Sequence, residues 1–229
     1  MSPPILLSWS GGKDAAWTLH ALRQRGDFDV VGLVTTVTEG YERIAMHGIR
    51  REILHAQAQA AGLPVIEARL PQQADNATYE NSFATALAQA RAMFPGLAHI
   101  AFGDLFLEDV KAYRDTLCAR LGWTPVYPLF GRDTRELAGE MHAGGLRALL
   151  CCVDTSQLDG SFSGAEFDAS LLAALPDGVD PCGERGEFHS CVYAGPMFAA
   201  ALDLQRGETV LRDGRFAFTE LRLESSLVG

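Results

Sequence analysis

The sequence lacks the cysteine pattern of a disulfide-bonded or zinc-binding protein. Its five cysteines are odd in number, and no two of them form a CxxC pair. They are Cys118, Cys151, Cys152, Cys182 and Cys191. Because neither disulfide nor metal spacing is present, we expect five free thiols that are buried as small apolar groups.

Long apolar runs are also missing. No stretch reaches the ~20 apolar residues that a membrane helix needs, and the N-terminus leads directly into a strand-like run instead of a basic and then apolar signal peptide. We therefore predict a cytoplasmic protein with no membrane partner. With 229 residues and 48% hydrophobic content, the chain is long enough to form one large domain or two small ones.

Positive charge is scarce. The chain has 19 Lys and Arg residues against 29 Asp and Glu residues, which gives a formal net charge of −10. A nucleic-acid-binding surface needs an excess of positive charge, so the composition argues against nucleic acid as a partner. A local basic patch at Arg43, Arg50 and Arg51 stays open as the exception.

The glycine pair near the N-terminus fits neither GxxxxGK[ST] nor GxGxxG, the two commonest nucleotide-binding glycine loops. The segment Ser10–Asp14 nevertheless follows an apolar run and precedes a segment with helical periodicity, which predicts a strand, a tight loop and a helix. The glycines allow backbone N–H groups to converge on one anion, most simply a phosphate. Lys13 would add positive charge, Ser10 suits a phosphate oxygen, and Asp14 suits a hydrated Mg²⁺.

Strand-like and helix-like segments alternate up to about residue 130. An apolar run from Ile5 predicts the first strand, and the helical spacing of Ala16, Leu19 and Leu22, closed by Gly26, predicts the first helix. Further predicted strands cover residues 30–36, 63–70, 98–102 and 124–128, and further predicted helices cover 49–61, 76–94 and 108–121. This alternation predicts a parallel, doubly wound α/β sheet of the Rossmann-like type. Ligands bind beyond the carboxyl ends of such strands, so Thr35 and Gly103 are expected at the same rim as the glycine loop.

The alternation stops beyond residue 130. The pattern there predicts a helix over 134–143 with a threonine or Asp133 as its cap, a strand over 148–153, and a helix over 166–175 capped by Ser163. A final hairpin is predicted over 208–212 and 215–223, around a type I′ turn at Asp213-Gly214. We therefore predict two domains, an α/β domain over residues 1–130 and a smaller α+β domain over residues 131–229.

A second polar concentration follows in the C-terminal half. Glu184, Glu187 and His189 fall within six residues, between two glycines and a strand-like stretch. Acidic side chains beside an imidazole can deprotonate a nitrogen nucleophile or hold a metal. The alternative is a solvated pair of glutamates beside a structural histidine, and the residues alone leave both interpretations open.

The first motif resembles a known signature. Ser10-Gly11-Gly12-Lys13-Asp14 is similar to the SGGKDS sequence of the PP-loop ATP pyrophosphatases, at the end of a first strand where that superfamily carries it. Ala15 replaces the last serine of the signature. Lys13 and the backbone N–H groups therefore remain to hold a phosphate.

The second motif points to one family within that superfamily. Residues 183–190, Gly-Glu-Arg-Gly-Glu-Phe-His-Ser, and the later Gly195-Pro196-Met197-Phe198 resemble the GENGE(F/Y)HT…GP(L/M)F segment of the diphthine–ammonia ligase family. Arg185 stands where that pattern usually has Asn, and Ser190 stands where it has Thr. The resemblance covers nearly the whole chain, as far as about Phe198.

The resemblance implies a PP-loop fold, a substrate-binding C-terminal domain and an ATP-dependent ligase that uses Mg²⁺. By analogy with the family, a carboxylate becomes an acyl adenylate, pyrophosphate leaves, and ammonia attacks to give an amide. The implied catalytic residues are Lys13, Asp14, Glu184, Glu187 and His189. The implied ATP-binding residues are Ser8, Ser10, Gly11, Gly12, Lys13, Asp14, Thr35, His47 and Gly103, and Asp14 is also the implied metal ligand.

The acceptor and two alternative functions stay open at the sequence level. In the family's characterised branch the acceptor is a modified histidine of translation elongation factor 2, and a small-molecule carboxylate is the other candidate. The chain could also form a homodimer. One alternative function is a PP-loop tRNA-modifying enzyme, which the net charge and the missing paired cysteines disfavour. The other is a nucleotide sensor without chemistry, which the replacement of serine by Ala15 permits.

Overall fold

The computed structural model describes residues 2–40, 42–44 and 48–224. The N-terminal half alternates strands and helices. In chain order they are β1 (Pro4–Ser8), α1 (Lys13–Arg25), β2 (Asp29–Thr38), β3 (Arg43–Ile44), α2 (Arg51–Ala61), β4 (Val65–Leu70), α3 (Asn76–Met93), β5 (His99–Ala101), α4 (Glu108–Leu121) and β6 (Thr124–Val126). The short strand β3 is the one element of this half that the sequence pattern did not predict.

The first sheet is mostly parallel. Strands β4, β2, β1, β5 and β6 lie side by side in that order, all parallel, and β3 pairs antiparallel with the end of β2. The central strand β1 is buried on both faces: Ile5 and Leu7 pack in one core with α1 and α2, and Leu6 packs in another with α3 and α4. The predicted doubly wound α/β fold is confirmed.

Glycines end three of the helices in this half. Gly26, Gly62 and Gly122 follow α1, α2 and α4, and each has the left-handed conformation that glycine adopts without steric cost. The predicted bounds of α4 are correct, and those of α2 and α3 are correct within two residues. These ends were readable from the sequence because a glycine after an apolar-periodic segment is a local signal.

The C-terminal half forms a second, antiparallel sheet. Its elements are α5 (Thr134–Ala143), β7 (Arg147–Asp154), a 3₁₀ turn (Gly160–Phe162), α6 (Ala169–Ala174), β8 (Phe188–Ala194), β9 (Leu204–Arg212) and β10 (Phe216–Leu223). The strand order is β8, β7, β10, β9. Asp133 caps α5 by accepting the Glu136 N–H at 2.9 Å, as predicted. Asp213 and Gly214 both have positive φ, 52° and 63°, as the predicted type I′ turn requires.

The predicted helix over 166–175 with a Ser163 cap is wrong. Only Ala169–Ala174 is helical, and its cap is Asp168, whose carboxylate accepts the Leu171 N–H at 2.9 Å. The preceding segment instead pairs with β7, where the Phe167 N–H donates to the Ala148 carbonyl at 2.8 Å. Phe167 is fully buried. The gain from burying its ring and pairing its backbone with the sheet outweighs the helical propensity of residues 166–168.

The second sheet packs against the α1 and α2 face of the first. One apolar core contains residues of both halves, including Ile5, Trp17, Leu149 and Phe188. Backbone contact joins them too, since the Val192 N–H of β8 donates to the Gly11 carbonyl at 3.0 Å. The glycine loop therefore lies where the two sheets meet. A division into two domains at residue 130 stays a prediction.

No helix in the described ranges is long and apolar enough to cross a membrane.

Candidate active site

The glycine loop leaves no room for larger residues at its turn. Gly11 has a φ of 78°, and a Cβ atom built there would lie 2.9 Å from the side-chain oxygen of Gln57. Gly103, at the end of β5, is packed as tightly, because a Cβ atom there would lie 3.0 Å from the Ala15 nitrogen. Glycine at these positions lets the loop and the next strand end close around the first turn of α1.

The first turn of α1 presents its N–H groups to side-chain hydroxyls. The Gly12 N–H donates to Ser10 Oγ at 3.3 Å, and the Lys13 N–H donates to Ser190 Oγ at 3.1 Å. Hydroxyl groups are weak, neutral acceptors that rotate freely. An anion at the positive end of the helix would be a stronger acceptor for the same N–H groups, so this helix start fits a phosphate.

Lys13 is buried, with 2% of its side chain exposed, but it is well paired. Its Nζ lies 2.8 Å from Asp14 Oδ2, donates to the Cys182 carbonyl, and stands 5.4 Å from the centre of the Phe188 ring. Burial is the largest single effect on the Lys13 ammonium and disfavours it, but the opposing effects, led by the Asp14 carboxylate, together hold the pKa of Lys13 above its ordinary value. Lys13 is therefore a fixed positive charge at neutral pH.

A cavity of about 430 Å³ opens beside this loop. Its volume lies within the range of roughly 300–1,000 Å³ that is usual for small-molecule sites. Both sheets contribute walls, and the lining residues used below come from β1 and the glycine loop, the segment after β5, α4, the end of β7, the 182–187 loop with the start of β8, and the start of β10. They are Ser8, Ser10, Gly12, Lys13, Asp14, Gly103, Asp104, Arg114, Asp154, Glu184, Arg185, His189, Ser190, Arg215 and Phe216.

Glu184 is a cavity carboxylate whose pKa is raised toward neutrality. Its Oε1 accepts the Leu105 N–H at 2.8 Å. Burial raises the pKa of Glu184 to about 7, and the nearby carboxylates of Asp14 and Asp104 act in the same direction. A carboxyl group with such a pKa can exchange a proton near neutral pH, as a general base must.

Glu187 lies only three residues further on, but it does not line the cavity. It is 2% exposed, and its two carboxylate oxygens accept the N–H groups of Asp180 and Arg185, each at 2.9 Å. These bonds hold the 180–187 loop in shape. Glu187 therefore stabilises the loop that carries Glu184.

His189 lines the cavity as a neutral ring. Burial, with a smaller contribution from the Lys13 ammonium, lowers the pKa of His189 to about 4. The neighbouring Cys191 is fully buried, and burial raises the pKa of its thiol to about 12. All five cysteines are free and buried, as expected from the sequence.

The structure brings together most of the residues predicted from the sequence. Ser8, Ser10, Gly12, Lys13, Asp14, Gly103, Glu184 and His189 all line the cavity. Gly11 shapes the glycine loop but does not line the cavity. Thr35 lies inside β2 instead of after it, away from the cavity lining, and its buried hydroxyl has no hydrogen-bond partner in the described part of the chain. His47 lies outside the described residues.

Gln57 is a site residue that the sequence analysis missed. Its fully buried side chain donates to the carbonyls of Gly11 at 3.0 Å and Val192 at 2.7 Å, and it accepts from Trp9 Nε1 at 3.0 Å. It therefore joins α2, the glycine loop and β8. The available signal was a glutamine beside Ile53 and Leu54 on the apolar stripe of α2, where a solvent-facing glutamine is not expected.

Two ion pairs of the cavity were also missed. Arg114 Nε lies 2.6 Å from Asp104 Oδ2, and Arg215 Nη2 lies 2.6 Å from Asp154 Oδ2. Asp154 is 2% exposed, and the Arg215 guanidinium is the main reason that its pKa lies well below the ordinary value. The second pair joins β7 to the turn before β10 in the same sheet.

The donor groups fit a Mg²⁺ ion that arrives with a nucleotide. Within residues 2–40, 42–44 and 48–224, no three His, Cys, Asp or Glu side chains are grouped to hold a metal. Asp14 lines the cavity at the start of α1. In nucleotide sites Mg²⁺ is usually held by one or two carboxylates together with phosphates and water. Asp14, beside a helix start that fits a phosphate, can supply one such carboxylate.

The arginines of the basic patch left open by the sequence are paired with carboxylates. Arg43 and Arg50 both pair with Glu220, and Arg51 Nε lies 2.7 Å from Glu67 Oε1. Because each of these charges already has a carboxylate partner, the patch gives no support to nucleic-acid binding.

The fold and the cavity define a class of protein, the Rossmann-like α/β proteins in which a glycine loop and the start of the first helix face a charged cavity. Within it, the family profile of the diphthamide synthase N-terminal domain matches residues 5–125, and that of the diphthamide synthase C-terminal domain matches residues 133–220. The chain therefore belongs to the diphthamide synthase family.

Three curated relatives are all diphthine–ammonia ligases. The chain is 24% identical to that of Schizosaccharomyces pombe over 218 residues, which covers 88% of this chain and 36% of the relative. It is 20% identical to that of Saccharomyces cerevisiae over 229 residues, which covers 82% of this chain and 32% of the relative. It is 30% identical to that of Danio rerio over 131 residues, covering 52% and 51%. The chain thus spans about a third to a half of the length of these relatives.

Proposed function

We propose that this protein is an ATP-dependent ligase that adenylates a carboxylate and amidates the product with ammonia. The name of its relatives, diphthine–ammonia ligase, supports the ligation with ammonia. The observation that carries the proposal is the position of Lys13. This buried, charged residue stands at the start of α1 and is held by the Cys182 carbonyl, so the glycine loop and the second motif meet at one cavity.

The glycine loop would bind the phosphates of ATP. The N–H groups of Gly12 and Lys13 would turn from the serine hydroxyls to phosphate oxygens, and the Lys13 ammonium would neutralise charge on the departing pyrophosphate. Asp14 would hold Mg²⁺ jointly with the phosphates. When bound, Mg²⁺ supplies further positive charge that stabilises the leaving group.

The proposed reaction has two steps. An acceptor carboxylate oxygen forms a bond to the α-phosphorus, the bond from that phosphorus to the bridging oxygen breaks, and pyrophosphate leaves. Ammonia then forms a bond to the acyl carbon, and the bond from that carbon to the AMP oxygen breaks. The attacking nitrogen gives up a proton, and Glu184 is the proposed acceptor of it because its pKa of about 7 matches the task.

The other residues of the second motif have supporting roles in this proposal. Glu187 is a positioning residue that fixes the loop carrying Glu184. His189, neutral at pH 7, can accept or donate one hydrogen bond to a substrate in the cavity. A protein side chain is the proposed acceptor, because the relatives are named for diphthine, and a small-molecule carboxylate is the alternative.

Product analysis tests the proposal. The protein is incubated with ATP, Mg²⁺, ammonium and a candidate acceptor, and the nucleotides are separated by chromatography with Lys13→Ala as the control. We expect acceptor-dependent AMP and pyrophosphate that are lost in the variant. ADP and phosphate would contradict the proposal. Tight ATP binding without cleavage, with every candidate acceptor supplied, would favour the nucleotide sensor instead.

A further inference from the structure

Most of the charge in the cavity is already paired. Three cationic side chains that line it each contact a carboxylate of the same cavity, with N···O distances between 2.6 and 2.8 Å. The pairs are Lys13 with Asp14, Arg114 with Asp104, and Arg215 with Asp154. Among the described lining residues, this pairing leaves Glu184 and Arg185 as the charged groups without a close ionic partner.

Arg185 is exposed on the cavity wall. Its side chain is 57% exposed, and its nearest carboxylate, Glu187, is 3.9 Å away. Both oxygens of Glu187 already accept backbone N–H groups, so that carboxylate has little capacity left for the guanidinium. The Arg185 guanidinium also stands 5.4 Å from the centre of the Phe106 ring. Contact with a ring face leaves the N–H groups at the guanidinium edge available.

We propose that Arg185 binds the acceptor carboxylate and holds it for attack on the α-phosphorus. This inference rests on the proposed function. A guanidinium can donate two parallel hydrogen bonds to one carboxylate, which fixes its orientation as well as its place. The backbone of Arg185 is held in place, because its N–H donates to the buried Glu187 carboxylate.

The arrangement favours the acceptor over ATP as the ligand of Arg185. The phosphates have N–H donors of their own in the first turn of α1, where the Lys13 ammonium, although paired with Asp14, also lies. Arg185 lies instead on the 182–187 loop, and Glu184 on that loop contacts the Leu105 N–H. The second substrate, which enters from solvent, meets this exposed guanidinium while Lys13 stays buried. Arg185 is thus a determinant of acceptor specificity.

A matched pair of arginines tests the inference. Arg222 has a 64% exposed side chain whose Nε lies 3.9 Å from Glu220, a setting close to that of Arg185, but it does not line the cavity. The variants are Arg185→Ala, Arg185→Lys and Arg222→Ala. The probe is elongation factor 2 that carries the modified histidine before amidation. Its dissociation constant is measured by titration in the presence of an ATP analogue that cannot be cleaved between the α and β phosphates, and pyrophosphate release gives the KM for ATP.

We expect Arg185→Ala to weaken acceptor binding by about tenfold or more, as the loss of a charge-assisted pair should. Arg185→Lys should recover part of the loss, Arg222→Ala should bind normally, and the KM for ATP should be unchanged throughout. A higher KM for ATP with normal acceptor binding would assign Arg185 to the phosphates and overturn the inference. Equal effects in Arg185→Ala and Arg222→Ala, or no acceptor binding by the unmodified protein, would also overturn it.

A different outcome would contradict the proposed function without contradicting the role of Arg185. If the unmodified protein binds the acceptor but releases no pyrophosphate from ATP, the ligase proposal is wrong while the binding comparison still decides the role of Arg185.

Discussion

The backbone N–H of Lys13 donates to the hydroxyl of Ser190 at 3.1 Å, across 177 positions of sequence. This bond joins the first turn of α1, which packs on the parallel sheet, to β8 in the antiparallel sheet. It occupies the N–H group that a phosphate would need. A hydroxyl from the other sheet therefore caps the helix start at which we propose that a phosphate binds.

Removing that hydroxyl should destabilise the protein less when ATP is bound. Ser190→Ala leaves the Lys13 N–H without its cap, and the loss of a helix cap costs about 1 kcal/mol. A bound phosphate takes over the N–H, so the difference from the unmodified protein should shrink at saturating ATP. Urea unfolding with and without ATP measures this. Ser190→Thr, which keeps the hydroxyl, is the control, and an equal loss in both conditions would contradict the prediction.

Gln57→Leu should strongly destabilise the fold. The change leaves the Val192 carbonyl and the Trp9 indole N–H buried without their partners, each at a cost of about 1–3 kcal/mol. Gln59→Leu, at an exposed position of the same helix, should change the free energy of unfolding by less than about 0.5 kcal/mol. Urea denaturation compares the two. Similar stability of both variants would show that the three bonds of Gln57 contribute little.

Gly103→Ala should damage both stability and nucleotide binding. The new Cβ would lie 3.0 Å from backbone atoms of Asp14 and Ala15, which can move only by shifting the start of α1. Such overpacking costs about 1–3 kcal/mol. Gly139→Ala is the matched control because nothing lies within 4 Å of its Cβ and it sits in helix α5, where alanine stabilises by roughly 0.5–1 kcal/mol. Thermal unfolding and ATP titration of both variants check the prediction, which fails if Gly103→Ala binds ATP normally.

The pH dependence of amidation should report Glu184. Its carboxylate form increases as pH rises through about 7, so the rate at a fixed concentration of free ammonia should rise from pH 6 to pH 8. The Glu184→Gln variant should have a low amidation rate that does not rise over this pH range. A profile with the same rise in the variant would assign the proton transfer to another group.

The raised pKa of Glu184 also predicts how the free energy of unfolding changes with pH. The pKa of Glu184 in the folded protein is raised from 4.5 to about 7. The folded state therefore holds its proton over a range in which the unfolded state has lost it, and the free energy of unfolding should fall as pH rises between those values. Glu184→Gln should remove that contribution, which urea unfolding at several pH values can detect.

Local signals in the sequence were enough for most of the framework. The glycine pair before Lys13, the glycines after α1, α2 and α4, and the cap at Asp133 each act within one turn of chain. Neighbouring residues dictate such features, so they can be read without knowing the fold. The helix expected over 166–175 failed because backbone pairing with β7 and burial of Phe167, both non-local, decided the conformation.

The sequence by itself determined the α/β framework, the glycine loop and the two motifs that share the cavity. The tertiary structure decided which motif residues face it. Glu184 and Glu187 look equivalent along the chain, but Gly183 and Gly186, with φ of 68° and 82°, turn the loop between them. As a result, Glu184 lines the cavity, whereas the Glu187 carboxylate accepts backbone N–H groups. The direction of a side chain depends on such turns and on packing across two sheets, and sequence spacing carries neither.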